Sequence, residues 1–426
     1  MSSRLITALL LAGTLAHSTT AHDSHTLNRR VSNGTWYQPD DHPAHALFKR
    51  GNTDGIAYAP VGSPEWLAGY PNGPADVTQL PKVWLDALQA AETAGKIPKI
   101  PVSTMIAGGE PTYEGLDPNK PEVCSTTYQC RSSNDIWDAP DGMLALSFDD
   151  GPLPPSPVLY DFLKSNNVHA THFYIGSNIL AYPDAFMQAL NNEDDMAVHT
   201  WTHPYMTTKT NEELLGEFGW TMEIIHNSTG GRLPKYWRPP YGDSDMRVRA
   251  IAKEIFGLTT VIWNQDTDDW SLNEAGGTTL DKIATLMQKW LTGPKSPGLV
   301  ILEHELMPDS VKSFIDAFPL MKQNGWNMVS LAKMDGLAAY QNADSITSPV
   351  TPGKVGVPMI MPAASSASSS PKSGAHQTAT SSPPSGSSSD HSHANQKGAG
   401  YRMGPISTVL SGLVAILAAA AGSILA

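Results

Sequence analysis

From Met143 onward, short apolar runs alternate with amphipathic helical stretches, which is what a parallel β/α fold requires. Met143 to Phe148 reads as a buried strand, and Met196 to Val198 as a second, shorter one. Leu258 to Trp263 is a β-branched run, and Leu299 to Leu302 reads as a late strand. Between them, Ser156 as N-cap with Pro157 in the first turn opens a helix to about Asn166. Thr210 and Glu213 have the spacing of a capping box. The helix after them puts Leu214, Phe218, Met222 and Ile225 on one stripe. Asp245 to Phe256 reads as a further helix, ended by Gly257. The fold class expected is α/β.

What stands at the ends of the strand runs points to chemistry. The first run leads into Asp149-Asp150-Gly151-Pro152, the second into His199-Thr200-Trp201-Thr202-His203. One carboxylate and two imidazoles suit a divalent first-row metal and leave a coordination position open for water. The spare aspartate can take a proton from that water. That is the equipment of a metal-assisted hydrolase. Each piece alone is weak: the chain has 14 histidines, and His42/His45 and His169/His172 show how cheap close spacings are. Position is what sharpens the signal, because catalytic groups at the C-terminal ends of several strands mark β/α barrels.

Three later stretches complete a pattern: Arg238-Pro239-Pro240-Tyr241-Gly242-Asp243, Asp266-Thr267-Asp268-Asp269-Trp270 and Ile301-Leu302-Glu303-His304-Glu305. With them the chain resembles the polysaccharide deacetylases of carbohydrate esterase family 4, the NodB homology group, and among these the fungal chitin deacetylases. The resemblance spans about residues 140–335. Ser147 is one departure, standing where the family usually has threonine. The resemblance implies a distorted (β/α) barrel of the NodB type with an irregular N-terminal extension. It implies hydrolysis of the N-acetyl groups of chitin to chitosan and acetate in a fungal cell wall, with one divalent ion, zinc or cobalt. By that resemblance Asp150, His199 and His203 hold the metal and Asp149 is the base. Arg238 orients the base, and the backbone N–H of Tyr241 faces the oxyanion. His304 is the general acid, with Asp269 as its partner; Trp270 and Leu302 wall the acetyl methyl. Other readings stay open here: a deacetylase of acetylated xylan or peptidoglycan, a non-catalytic wall-binding protein, or, were His22 the mature N-terminus, a copper-binding histidine brace.

The flanks read differently. Residues 1–21 have the charge, apolar stretch and small-residue site of a secretory signal. Residues 22–138 form the extension, Pro- and Gly-rich, with Trp36, Tyr37, Trp66, Tyr70 and Trp84 expected to pack onto the barrel and one helical patch at about 83–94. The deacetylase domain is expected over 139–340. A Ser/Pro-rich stalk over 341–399 comes next, most biased from Ala363 to Ala399. Residues 400–426 read as a GPI-attachment signal, with Asn395 and Gly398 as candidate attachment sites and Ile406 to Ala426 uncharged. A retained tail anchor is the alternative. The expected location is outside the cell, anchored to the outer face of the plasma membrane or in the wall. Asn33 and Asn227 begin glycosylation sequons. The two cysteines, Cys124 and Cys130, are expected to form a disulfide that an exported chain permits. A net charge of −13 argues against nucleic acid as a partner and leaves a neutral acetylated polymer unopposed.

Overall fold

The computed structural model describes residues 42, 44–48, 58–107 and 109–343. A short antiparallel pair comes first, β1 (Thr104–Met105) with β2 (Pro111–Thr112). The parallel strands come after it: β3 (Met143–Asp149), β4 (Thr171–Tyr174), β5 (Asp195–Val198), β6 (Tyr236–Trp237), β7 (Thr259–Thr260), β8 (Gln265–Asp266), β9 (Ile301–Leu302) and β10 (Asn327–Ser330). Six of them form one sheet in the order β10-β3-β4-β5-β6-β7, while β8 pairs with β9.

Single bridges, rather than full ladders, join these two pieces. Ala145 N–H donates to Leu299 O (2.9 Å) and Asp149 N–H to Glu303 O (3.0 Å), so the β9 segment runs beside β3. Ile136 bridges the far side, donating to Thr260 O and accepting from Ile262 N–H. The result is a curled α/β sheet with short, irregular staves, the distorted barrel expected. The β-branched run from 258 to 263 yields only a two-residue ladder strand. The chain leaves the sheet after Ile262, because Asn264 N–H turns to Val300 O.

Helices occupy the crossovers. Thr210 and Glu213 close a reciprocal capping box at the start of the Asn211–Ser228 helix, and its stripe residues Leu214, Phe218, Met222 and Ile225 are fully buried. Met246–Glu254 is capped by the Asp245 side chain and stopped at Gly257, whose φ of +67° suits glycine. One start differs from expectation: Pro155 is the N-cap of the Ser156–Ser165 helix. The Ser156 hydroxyl instead accepts the Leu153 N–H upstream, at 2.8 Å.

The extension shares the barrel's core. Gly216 and Gly219 flatten one face of the Asn211–Ser228 helix, where a Cβ would overlap Ala75 or Trp84. Each glycine costs the helix about 1 kcal/mol relative to alanine. Burial of the Trp84 indole offsets this, since an aromatic of that size removes 150–250 Å² or so from water. Trp66 is also buried and donates its indole N–H to Ser228 Oγ (2.9 Å). These aromatics pack, as expected, and are not free to stack on sugars. The helix within the extension runs Lys82–Thr93.

Two expectations need correction. The packed core continues past 340, because Tyr340 and Ala343 belong to it and Gln341 donates to Pro234 O and Phe256 O. Residues 341–343 therefore belong to the folded domain and not to the stalk expected from 341. Asn227 lies buried in the last turn of its helix, donating its amide to Glu223 Oε1 (3.0 Å) and Tyr70 OH (3.3 Å). Both contacts engage the nitrogen through which the Asn227 sequon would carry a glycan. The signal (1–21), His22, Asn33, Trp36, Tyr37, the stalk beyond 343, Asn395, Gly398 and the 400–426 tail lie outside the described residues. Among the described residues, no helix is long and apolar enough to cross a membrane.

Candidate metal centre and active site

The site forms where β3, β5 and the β9 segment end. Asp149 closes β3, and Asp150 turns away with φ +74°. His199 comes directly after β5, and His203 returns through a loop in which Thr200 and His203 both have positive φ. Left-handed backbone costs a non-glycine residue about 1–3 kcal/mol and clusters at functional sites. Asp150, Thr200, His203, Tyr241 and Asp268, five of the positive-φ residues, fall within the sequence motifs that supply the site. The strain separates Asp149 from Asp150, so that neighbouring carboxylates face different partners.

Asp150 Oδ1 lies 3.3 Å from His199 Nε2 and 3.2 Å from His203 Nε2. Donors held about 2.1 Å from a common ion would sit about 3.0–3.4 Å apart, so the spacing fits a small divalent cation. Asp150 Oδ1 is buried and has no hydrogen-bond partner. Burial raises the Asp150 carboxyl's pKa, yet His203 and His199 beside it hold it well below the usual carboxylate range. It is therefore anionic. His199 gives its Nδ1–H to Arg238 O (2.7 Å), which fixes the tautomer and turns the Nε2 lone pair toward the trio. Among the described residues these three are the group able to hold a metal ion.

Asp149 is held from the other side. Buried Arg238 donates through Nη1 to Asp149 Oδ1 (2.6 Å) and through Nη2 to Ser147 Oγ (3.0 Å), with its guanidinium over the Phe173 ring. Asp149 Oδ2 is left on the trio's side, 3.9 Å from His199 Nε2. Arg238 thus steadies the spare carboxylate with its side chain and a candidate ligand with its carbonyl.

His304 faces Asp149 across a parallel bridge between strands. Its Nδ1 meets Asp269 Oδ1 at 2.6 Å, and its backbone N–H meets Asp269 Oδ2 at 2.9 Å. Burial pulls the imidazole pKa down, but the Asp269 charge and hydrogen bond outweigh this and raise it to about 10. Trp270 stands half-exposed beside Asp269, and Leu302 is buried two residues before His304. Tyr241 is more than half exposed in the Pro240–Gly242 turn, stacked on Tyr205 (4.1 Å between centroids) and edge-on to His203 (4.7 Å). Cys124 and Cys130 form a disulfide.

Some supporting residues were not expected. Glu217 accepts from the backbone N–H groups of Trp201 and Thr202 and from the Thr202 hydroxyl, tying down the loop between the two histidines. Its signal was a charged residue one position from Phe218 on an apolar face. Glu303 is buried, Oε1 lacks a partner, and burial with the Asp269 charge nearby holds its carboxyl well above the usual range. Glu305, fully buried, meets His172 Nδ1 at 2.9 Å and fills the space where Gly151 has no Cβ.

A family model described as polysaccharide deacetylase matches residues 138–261. Chitin deacetylase 3 of Cryptococcus neoformans is 40% identical over 316 residues, covering 72% of this chain and 74% of that protein. The chitin deacetylase of Amylomyces rouxii is 38% identical over 224 residues, covering 50% of this chain and 52% of its own. Among solved structures, the chitin deacetylase of Colletotrichum lindemuthianum is 25% identical with a TM-score of 0.43, over 47% of this chain and 90% of that one.

Proposed function

From the premise that this chain belongs to the polysaccharide deacetylase family, we propose that it hydrolyses the N-acetyl groups of chitin, releasing acetate and leaving chitosan. The observation that carries the reading is one arrangement. A donor trio of Asp150, His199 and His203 gathers at the same strand ends as an arginine-held carboxylate, Asp149, which is bridged along the sheet to a carboxylate-held imidazole, His304.

Asp150, His199 and His203 would hold the divalent ion, zinc or cobalt, which supplies an electrophile for the amide carbonyl and lowers the pKa of the attacking water. Asp149 takes the water's proton at Oδ2, because Oδ1 is committed to Arg238. Ser147 and Phe173 keep the guanidinium in place while the charge on Asp149 changes. The backbone N–H of Tyr241 is assigned to the developing oxyanion. His304, charged because of Asp269, gives its Nε2 proton to the departing amine. Trp270 and Leu302 flank the acid and are assigned to the acetyl methyl. Parallel assays on chitin oligomers and acetylated xylan test the substrate: acetate from chitin alone supports the reading, and acetate from xylan alone overturns it.

The flanking sequence supports export and anchoring outside the cell: an apolar leader, a Ser/Pro-rich stretch and an uncharged run from Ile406 after small residues. Release of the protein from cells by a phosphatidylinositol-specific phospholipase tests the GPI assignment. Retention with peptides beyond Ile406 still attached overturns it.

A further inference from the structure

We propose that the loop closed by Cys124 and Cys130 is a clamp that positions the Tyr241 turn, with Thr126 and Thr127 as its working contacts. The inference rests on the assignment of the Tyr241 backbone N–H to the oxyanion.

Tyr241 has φ +58° and ψ +12°. An aromatic residue holds left-handed backbone only where its surroundings over-determine it. Pro239 and Pro240 restrict the approach to the turn. On the far side of Tyr241, the disulfide loop holds Gly242, Asp243 and Ser244. Thr126 Oγ1 donates to Gly242 O (2.5 Å) and accepts from Ser244 N–H (2.9 Å), while Thr126 N–H donates to Ser244 O (2.9 Å). Thr127 Oγ1 donates to Asp243 Oδ1 (2.9 Å). Asp243 also accepts Thr207 N–H (2.8 Å), which joins the turn to the loop beyond His203. Each of these three residues is therefore gripped through a carbonyl, a carboxylate or an N–H.

The grip is itself anchored. Arg249 donates to Cys124 O (2.5 Å) and is paired with Asp135. Tyr113 OH donates to Asp245 Oδ2 (2.9 Å), adding the extension's own support. Thr126 is buried beneath the turn and its bonds run to the turn's backbone. Its effect on catalysis would pass through Tyr241, which makes it a positioning residue.

Such a role separates kcat from KM, because an oxyanion donor acts in the transition state and not on bound substrate. Thr126→Val and Thr127→Val each keep side-chain volume and remove a hydroxyl. The expected result on chitin oligomers is a kcat lower by about 10- to 100-fold with KM and metal content unchanged. Thr126→Ser and Thr127→Ser should restore kcat. The disulfide gives an independent route, since the chain has only these two cysteines. A non-chelating phosphine reductant applied to the folded enzyme should lower kcat, and reoxidation should return it. Wild-type kcat in both valine variants and in the reduced enzyme would overturn the clamp. So would kcat losses that merely track a loss of folded protein and that serine does not rescue. Absence of deacetylation by the wild type would instead overturn the functional assignment on which the clamp rests.

Discussion

One carboxylate holds His304 twice: Asp269 Oδ1 takes the ring Nδ1–H at 2.6 Å and Asp269 Oδ2 takes the backbone N–H at 2.9 Å. The first bond sets the proton inventory of the imidazole and the second sets where it points. Against burial, this pairing raises the His304 pKa to about 10. Catalysis by the acid form should persist while His304 is protonated and fall as pH rises through its pKa. A divalent cation nearby pulls that value down again, so the alkaline limb is expected between the ordinary value of about 6.5 and about 10. In Asp269→Asn the limb should move to lower pH. A pH–rate profile with the same alkaline limb in Asp269→Asn and His304→Asn would remove the acid role from His304.

Asp149→Asn should keep its metal and lose turnover by about 10²–10⁴. Asp149 bonds Arg238 through Oδ1, while Asp150 meets the candidate ligands His199 and His203 at 3.3 and 3.2 Å. Metal content and kcat measured on the same preparation decide this. Near-normal turnover would exclude Asp149 as the base.

His203→Ala should lose metal and activity together, with partial return of both at high metal concentration. Its Nε2 shares Asp150 Oδ1 with His199, and two donors bind far more weakly than three. Elemental analysis reads the result. Full occupancy in the variant would make His203 a bystander.

Stability should respond at a different place. Burial lowers the His172 pKa, but Glu305 and Asp194 outweigh it and raise it to about 10. A folded pKa above the unfolded value of about 6.5 means stabilisation that is full below 6.5 and lost as pH rises through 10. Removing one partner of a buried pair costs about 3–5 kcal/mol. Glu305→Gln should therefore unfold at lower denaturant near neutral pH, and its stability should fall less steeply toward alkaline pH. Parallel slopes in wild type and variant would show that the pair is not what titrates.

The candidate metal ligands and the spare carboxylate were legible in residue type and in position after a strand, whereas the roles proposed for Arg238, Tyr241, Asp269 and His304 came only with the family resemblance. The capping box at Thr210 and Glu213 was equally legible, being local. What supports those groups was not. No pattern announces that Arg238 orients His199 through its carbonyl as well as Asp149 through its side chain. Nor does spacing reveal the positive φ at Asp150, His203 and Tyr241, which tertiary contacts impose against local preference. Strands such as β6 and β7 pair over two residues, too few for periodicity to mark their ends. Asn227 shows the converse: a sequon is local, but accessibility depends on the Tyr70 and Glu223 contacts brought by packing.

Mass spectrometry of chitin oligomers treated with metal-loaded, chelated and re-metallated protein tests whether the proposed hydrolysis of chitin N-acetyl groups depends on a metal held by Asp150, His199 and His203. Stepwise loss of acetyl groups is expected, with none after chelation and a return with zinc or cobalt. Unchanged oligomers with the folded, metal-loaded protein, or undiminished deacetylation after complete chelation, would contradict it.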